Sequence, residues 1–133
     1  MNIESQVCAL EYSKRLDELG IKKKSIFVWE YFNNQCYAVR FIPNAVVPGD
    51  FSNVKWFKAY TASELGEMLP YEIHGKSLII EKCYSNLWSL KYTDKDYLRE
   101  QILAEFNSKK QSDASAKMLI HLLENGLVKV EDL

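Results

Sequence analysis

Of the seventeen aromatic residues in this chain of 133, fifteen lie between Phe27 and Tyr97, and only Tyr12 and Phe106 fall outside. Strands favour aromatic and β-branched side chains, so the middle should hold sheet and the ends helix. The expectation is an α+β fold: an antiparallel hairpin or meander sheet packed against N-terminal and C-terminal helices. Residues 1–133 fall in the usual size range for a single domain with its own core.

The first helix is predicted from about Ser5 to Leu19, because Cys8, Tyr12, Leu16 and Leu19 follow helical spacing and share a face. Gly20 is its expected left-handed terminator, and Lys22, Lys23 and Lys24 follow where positive charge meets the negative helix end. Two strands come next, Ser25 to Phe32 and Cys36 to Ile42, around an Asn33-Asn34-Gln35 turn. Phe27, Trp29 and Tyr31 share a face of the first; Tyr37, Val39 and Phe41 share a face of the second. The stretch Pro43 to Lys55 reads as a loop, with Pro48-Gly49-Asp50 its clearest turn.

Thr61-Ala62-Ser63-Glu64 is a capping box, in which hydroxyl and carboxylate each take the other residue's amide. Leu65, Met68 and Leu69 form a short apolar stripe, and Pro70 stops the helix. Period two then returns. Tyr71 to Ile73 and Leu78 to Tyr84 flank a tight turn at His74-Gly75-Lys76. Beyond Ser85-Asn86-Leu87, Trp88, Leu90 and Tyr92 alternate with polar residues as a half-buried strand should. Asp94 or Asp96 is expected to cap a helix reaching Phe106, with Leu98, Ile102 and Phe106 at four-residue intervals. Ser112 or Asp113 should cap a last helix to Asn125, closed by Gly126. Its apolar residues, Leu119, Leu122 and Leu123 among them, cover most of the circumference and leave Lys117, His121 and Glu124 as a narrow wet face. So apolar a helix should be deeply buried.

Three blocks together resemble a group of small proteins of unassigned function encoded in phages, prophages and genomes of gut anaerobes. They run from Leu10 to Gly20, from Tyr60 to Pro70 and from Ala114 to Gly126. In the third block this chain has Ser115 where the group is expected to carry Arg, and His121 where it carries Tyr. The resemblance implies a cytoplasmic protein linked to mobile elements. It brings no activity, ligand or catalytic residue with it.

Composition narrows the function classes. Seventeen basic and eighteen acidic residues interleave to a net charge of -1, without the basic excess of a nucleic-acid face. No apolar run approaches the ~20 residues that span a bilayer. The N-terminus, Met1 to Gln6, carries acid where a secretory signal carries base, so a cytoplasmic location is expected. Cys8, Cys36 and Cys83 are odd in number and widely spaced, which fits free thiols in a reducing compartment.

Chemistry is equally sparse. His74 sits in a predicted turn and His121 on a helix's wet face, neither near a second metal ligand. The acid pairs Glu64 with Glu67, and Asp94 with Asp96, lie at predicted helix starts, where the helix dipole favours acid without any catalysis. No phosphate loop, nucleophile elbow or zinc-protease motif occurs. Neither catalytic, cofactor-binding nor metal-binding residues are assigned, and the expectation is a non-enzymatic accessory or interaction protein of phage-like origin. The alternatives are a nucleic-acid-binding module using Lys22 to Lys24 with aromatics such as Trp56 and Trp88, and a small enzyme whose site is assembled from scattered residues. Val7 and Leu10, off the main stripe of the first helix, are a candidate contact with a protein partner or a second copy, unless a segment such as Leu127 to Leu133 covers them.

Overall fold

The computed structural model describes residues 2–32, 36–41, 54–94 and 101–133. It is an α+β fold with three α-helices, α1 (Leu10–Glu18), α2 (Ala62–Met68) and α3 (Gln111–Glu124), among the described residues. One antiparallel sheet has the order β2-β1-β3, from β1 (Phe27–Phe32), β2 (Cys36–Phe41) and β3 (Val54–Lys58). The other has the order β4-β5-β6-β7, from β4 (Glu72–Ile73), β5 (Lys76–Lys82), β6 (Trp88–Thr93) and β7 (Ile102–Ser108). The predicted turns at Asn33-Asn34-Gln35 and Pro48-Gly49-Asp50 lie outside the described residues.

Cross-strand rows explain how the four-stranded sheet builds the core. Leu78, Tyr92 and Ala104 stand side by side, as do Ile80, Leu90 and Phe106. Leu90 and Tyr92 are fully buried against α3, whose Ala114, Ala116, Met118, Leu119 and Leu122 are buried as well. Leu123 is half-buried at the margin. The opposite face carries polar pairs: the Ser89 hydroxyl donates to Glu105 over 3.3 Å, and Lys91 lies 3.7 Å from Glu81.

Both long helices end as predicted, at glycines in the left-handed region: Gly20 (φ 95°) and Gly126 (φ 67°). Ile21 N–H reaches back to Leu16 O, and Leu127 N–H to Leu122 O, so each exit is a Schellman motif sealed by an apolar contact. The capping box of α2 is also present. Glu64 N–H donates to Thr61 Oγ1, and Thr61 N–H to Glu64 Oε1.

Four expectations need correction. First, Ile102–Ser108 is strand β7 and not the end of a helix begun near Asp94. Ala104 and Phe106 face the core while Glu105 and Asn107 face out, and pairing with β6 overrides the helix propensity of Leu, Ala and Glu. The proposed cap Asp96 and apolar Leu98 lie outside the described residues. Second, the loop expected as far as Lys55 gives way at Val54 to β3. Third, α3 starts earlier than predicted, with Lys110 as N-cap. Ser112 and Asp113 are inside its first turn, and the Asp113 carboxylate is used elsewhere.

The fourth correction concerns the N-terminal segment. Residues Ile3–Ser5 form a single 3-10 turn, and α1 begins only at Leu10. From Val7 to Ala9 the chain is extended, and Val7 bridges to Thr61 in antiparallel fashion. Neighbouring residues of extended chain point in opposite directions. Val7 therefore enters a small cluster with Trp29 and Ala59, and Cys8 enters the large cluster around α3, both fully buried. Leu10 is half-buried against the same small cluster. Val7 is thus covered within the chain, by β1 and β3. The tail residues Leu127, Val128, Val130 and Leu133 pack instead on the large cluster.

The main chain of residues 7–9 is tied on all sides. Cys8 N–H donates to Tyr60 O over 2.9 Å, and the Trp29 indole donates to Cys8 O over 2.9 Å. Ala9 N–H donates to Asp113 Oδ1 over 2.8 Å, and the Lys110 ammonium donates to Val7 O over 2.9 Å. Buried polar groups are costly unless paired, and here long-range partners complete the pairing.

Candidate functional site

An open edge of the four-stranded sheet is the feature that calls for a function. Strand β4 is only two residues long, joined to β5 by His74 (φ 52°) and Gly75 (φ 78°), whose positive φ values match a tight hairpin turn. Its pairing covers Lys76 and Ser77, and Leu78 N–H still finds Tyr71 O over 2.9 Å. Strand β5 then continues to Lys82 with no further strand on that side among the described residues. Main-chain groups of an antiparallel strand alternate between its two neighbours. Because Leu78 points towards β4, the amides and carbonyls of Ile80 and Lys82 point to the open edge.

The side chains around this edge are apolar and wet. Tyr71 is 84% exposed, Ile80 41% and Tyr84 97%. Tyr84 belongs to the connection from β5 to β6, where Ser85 (φ 69°) and Asn86 (φ 59°) both occupy the left-handed region. Serine gains little from that region, so the tip is held under backbone strain, closed by Cys83 N–H on Leu87 O at 2.7 Å. Nearby charges are already matched: Lys76 with Asp94 at 3.0 Å, Glu81 with Lys91, and Lys82 5.7 Å from the centre of the Trp88 ring. Such an edge offers hydrogen bonding and apolar contact.

The residues singled out from sequence are scattered. Lys22, Lys23 and Lys24 are exposed after α1, but Lys22 pairs with Asp17 at 2.7 Å, and the carbonyls of Lys22 and Lys23 accept from Lys58 and Tyr60. Lys23 and Lys24 share a cleft of about 440 Å³ with Glu64 and Glu67, whose carboxylates oppose their field. Glu64 is a structural acid that also accepts from the Ser25 hydroxyl at 2.9 Å. His74 is exposed on its turn; His121 lies against the Phe106 ring with centroids 5.3 Å apart. Among the described residues no group of three potential ligands could hold a metal ion.

Burial pushes the Cys8 thiol up to about 11, so it is protonated at neutral pH, while Cys83 is exposed on the hairpin tip. Burial likewise raises the Tyr60 and Tyr92 hydroxyls, which donate to Lys23 O and Pro70 O. Among the described residues no helix is long and apolar enough to cross a membrane. Sequence reasoning placed Tyr71 and Tyr84 in strands and missed their exposure. The exposure follows from the two-residue length of β4, which the alternation in the sequence does not report. No family model, curated protein or solved structure matches the chain.

Proposed function

We propose that this chain is a non-enzymatic interaction protein that accepts an extended segment of a protein partner on the free edge of β5. The observation that carries the reading is the coincidence of two features: main chain at Ile80 and Lys82 whose open side no other described strand pairs, and the exposed side chains of Tyr71, Ile80 and Tyr84. Strand addition uses main-chain hydrogen bonds for affinity and side chains along the edge for specificity. Protein edges are ordinarily shielded, and here the shield stops two residues into the strand. The resemblance of three blocks to phage-encoded proteins supports a cytoplasmic setting and a partner among proteins of the host or the mobile element.

A displayed library of extended peptides supplies the probe. A selected peptide titrated into the labelled protein should slow amide exchange at Ile80 and Lys82 and lose affinity when Tyr71 and Tyr84 are both changed to Ser. Shifts centred on Lys22 to Lys24, or unchanged affinity in the double variant, would refute this function. Salt-sensitive retention on single-stranded DNA at physiological ionic strength would replace it with the nucleic-acid reading.

A further inference from the structure

Helix α3 ends on a dipeptide with chemistry of its own. Asn125 is its C-cap, and Gly126 follows in the left-handed region at φ 67°. Of all the asparagines in the chain, Asn125 alone precedes a glycine. An asparagine side chain ends in an amide whose carbonyl carbon is open to attack by the main-chain nitrogen of the next residue, which closes a five-membered ring. A side chain on that next residue hinders the approach, and glycine has none. Both residues are exposed to water.

The fold holds both reacting groups away from this path. The Asn125 side chain turns back along the helix, where its Nδ2 donates to His121 O over 2.8 Å and lies 3.2 Å from His121 Nδ1. The attacking nitrogen is engaged as well, since Gly126 N–H donates to Leu123 O over 3.2 Å. Leu127 N–H then closes the turn on Leu122 O over 2.9 Å, and the Leu127 side chain packs on the large cluster. Ring closure needs the nitrogen and the carbonyl carbon in a near-attack arrangement. To reach it, the Asn125 amide has to leave His121 O and the Gly126 nitrogen has to leave Leu123 O. His121 is itself held, with its ring centroid 5.3 Å from that of Phe106.

We propose that Asn125 is a self-modification site, latched by the end of α3 and released when that last turn opens. On release, the Gly126 nitrogen attacks the side-chain carbonyl carbon of Asn125. A C–N bond forms, the bond from that carbon to Nδ2 breaks, and ammonia leaves with the proton given up by the Gly126 nitrogen. Water then opens the ring at either carbonyl, giving aspartate or isoaspartate. Either product bears a carboxylate at the negative end of the helix, beside Glu124, and lacks the donor that reached His121 O. Isoaspartate also lengthens the main chain by one carbon just before Gly126, which moves Leu127 N–H off Leu122 O. The latch does not re-form on the product, so the release is one-way. Arg15 ties α1 to this same turn through Glu124 at 2.9 Å, and the modification loosens that junction too. The site does not rest on strand addition at β5.

The test holds the parent protein at neutral pH in buffer and, in parallel, in denaturing urea. Peptide mapping follows the mass gain of an amide turned into an acid at Asn125. A site that reacts only when open converts in proportion to the time it spends open, so conversion in the folded chain should be at least roughly tenfold slower than in the unfolded one. Leu127→Ser removes the apolar seal and leaves both reacting groups in place. Conversion in this variant, still folded, should rise several-fold towards the unfolded rate. Asn125→Asp reproduces one product and should exchange its Leu127 amide faster than the parent does. Equal rates in the folded and unfolded parent, or no gain in folded Leu127→Ser, would overturn the latch. An unchanged Leu127 exchange rate in Asn125→Asp would overturn the one-way release, and an unfolded chain that does not convert at Asn125 would overturn the site. Should Leu127→Ser not fold, the comparison within the parent decides alone.

Discussion

The two hydrophobic clusters are held by different means. Around α3, aliphatic side chains from α1, α2, α3 and β6 interdigitate, with Leu16, Leu65, Leu90, Leu119 and Leu122 fully buried. Around Trp29 the buried set is Val7, Trp29 and Ala59, ringed by half-buried Leu10, Phe27, Val39 and Phe57. The first gains its stability from area and close packing. The second is centred on one large ring, fixed in place by its indole bond to Cys8 O, with Lys14 bridging nearby rings outside it. The lesson is that truncation should damage the first cluster most, and loss of a polar anchor the second.

Leu122→Ala should show the largest effect, about 2–5 kcal/mol of stability, read as a lower denaturant midpoint. An unchanged midpoint would remove α3 from the centre of the fold. Alkaline pH comes next. The Cys8 thiol is raised from 9.0 to about 11, so the folded state holds that proton more tightly than the unfolded chain. Its contribution is complete below pH 9 and is lost as pH climbs through about 11, by up to ~3 kcal/mol. Denaturant titrations of the parent beside Cys8→Ala isolate that share from the buried tyrosines, because only the parent should weaken as soon as pH passes 9.

Trp29→Phe keeps most of the ring but leaves Cys8 O without its donor, and should cost about 1–3 kcal/mol. A loss below that range would show that area, and not the anchor, holds the second cluster, and would erase the contrast with the first. Thr61→Ala removes the acceptor for Glu64 N–H and should cost ~1 kcal/mol, measured the same way. The smallest effect belongs to Lys14→Gln. Its ammonium lies 4.0 Å from the centre of the Tyr31 ring, and the loss should be about 0.5–1 kcal/mol.

Signals confined to a few neighbouring residues were legible before any coordinates. Thr61 and Glu64 announce their cap, Gly20 and Gly126 their helix ends, and the alternation from Trp88 to Tyr92 its strand. Long-range pairing was not legible. Ile102 and Phe106 are spaced as well for a helix as for anything else, and only β6 alongside makes that stretch a strand. Val7 and Cys8 read as two faces of one helix, whereas they are two sides of an extended segment caught between clusters that meet only in the folded chain. Tyr71 and Tyr84 show the same limit for the candidate site. Their exposure follows from where β4 stops, and alternation alone does not report that.

The clamp on residues 7–9 also sets an order of events during synthesis. Ala9 reaches its acceptor on Asp113 across 104 positions of sequence, and Val7 is held by Lys110. At roughly 5–20 residues per second, the ribosome takes about 5–20 seconds to make the intervening chain. Through that interval Val7 and Cys8 are in water, or in passing contact with whatever has already emerged. Closing so long a loop adds little entropy beyond closing one half its length, so the delay is a matter of waiting and not of strength. Residues 7–9 thus come to rest only after a segment made about a hundred positions later has emerged to hold them.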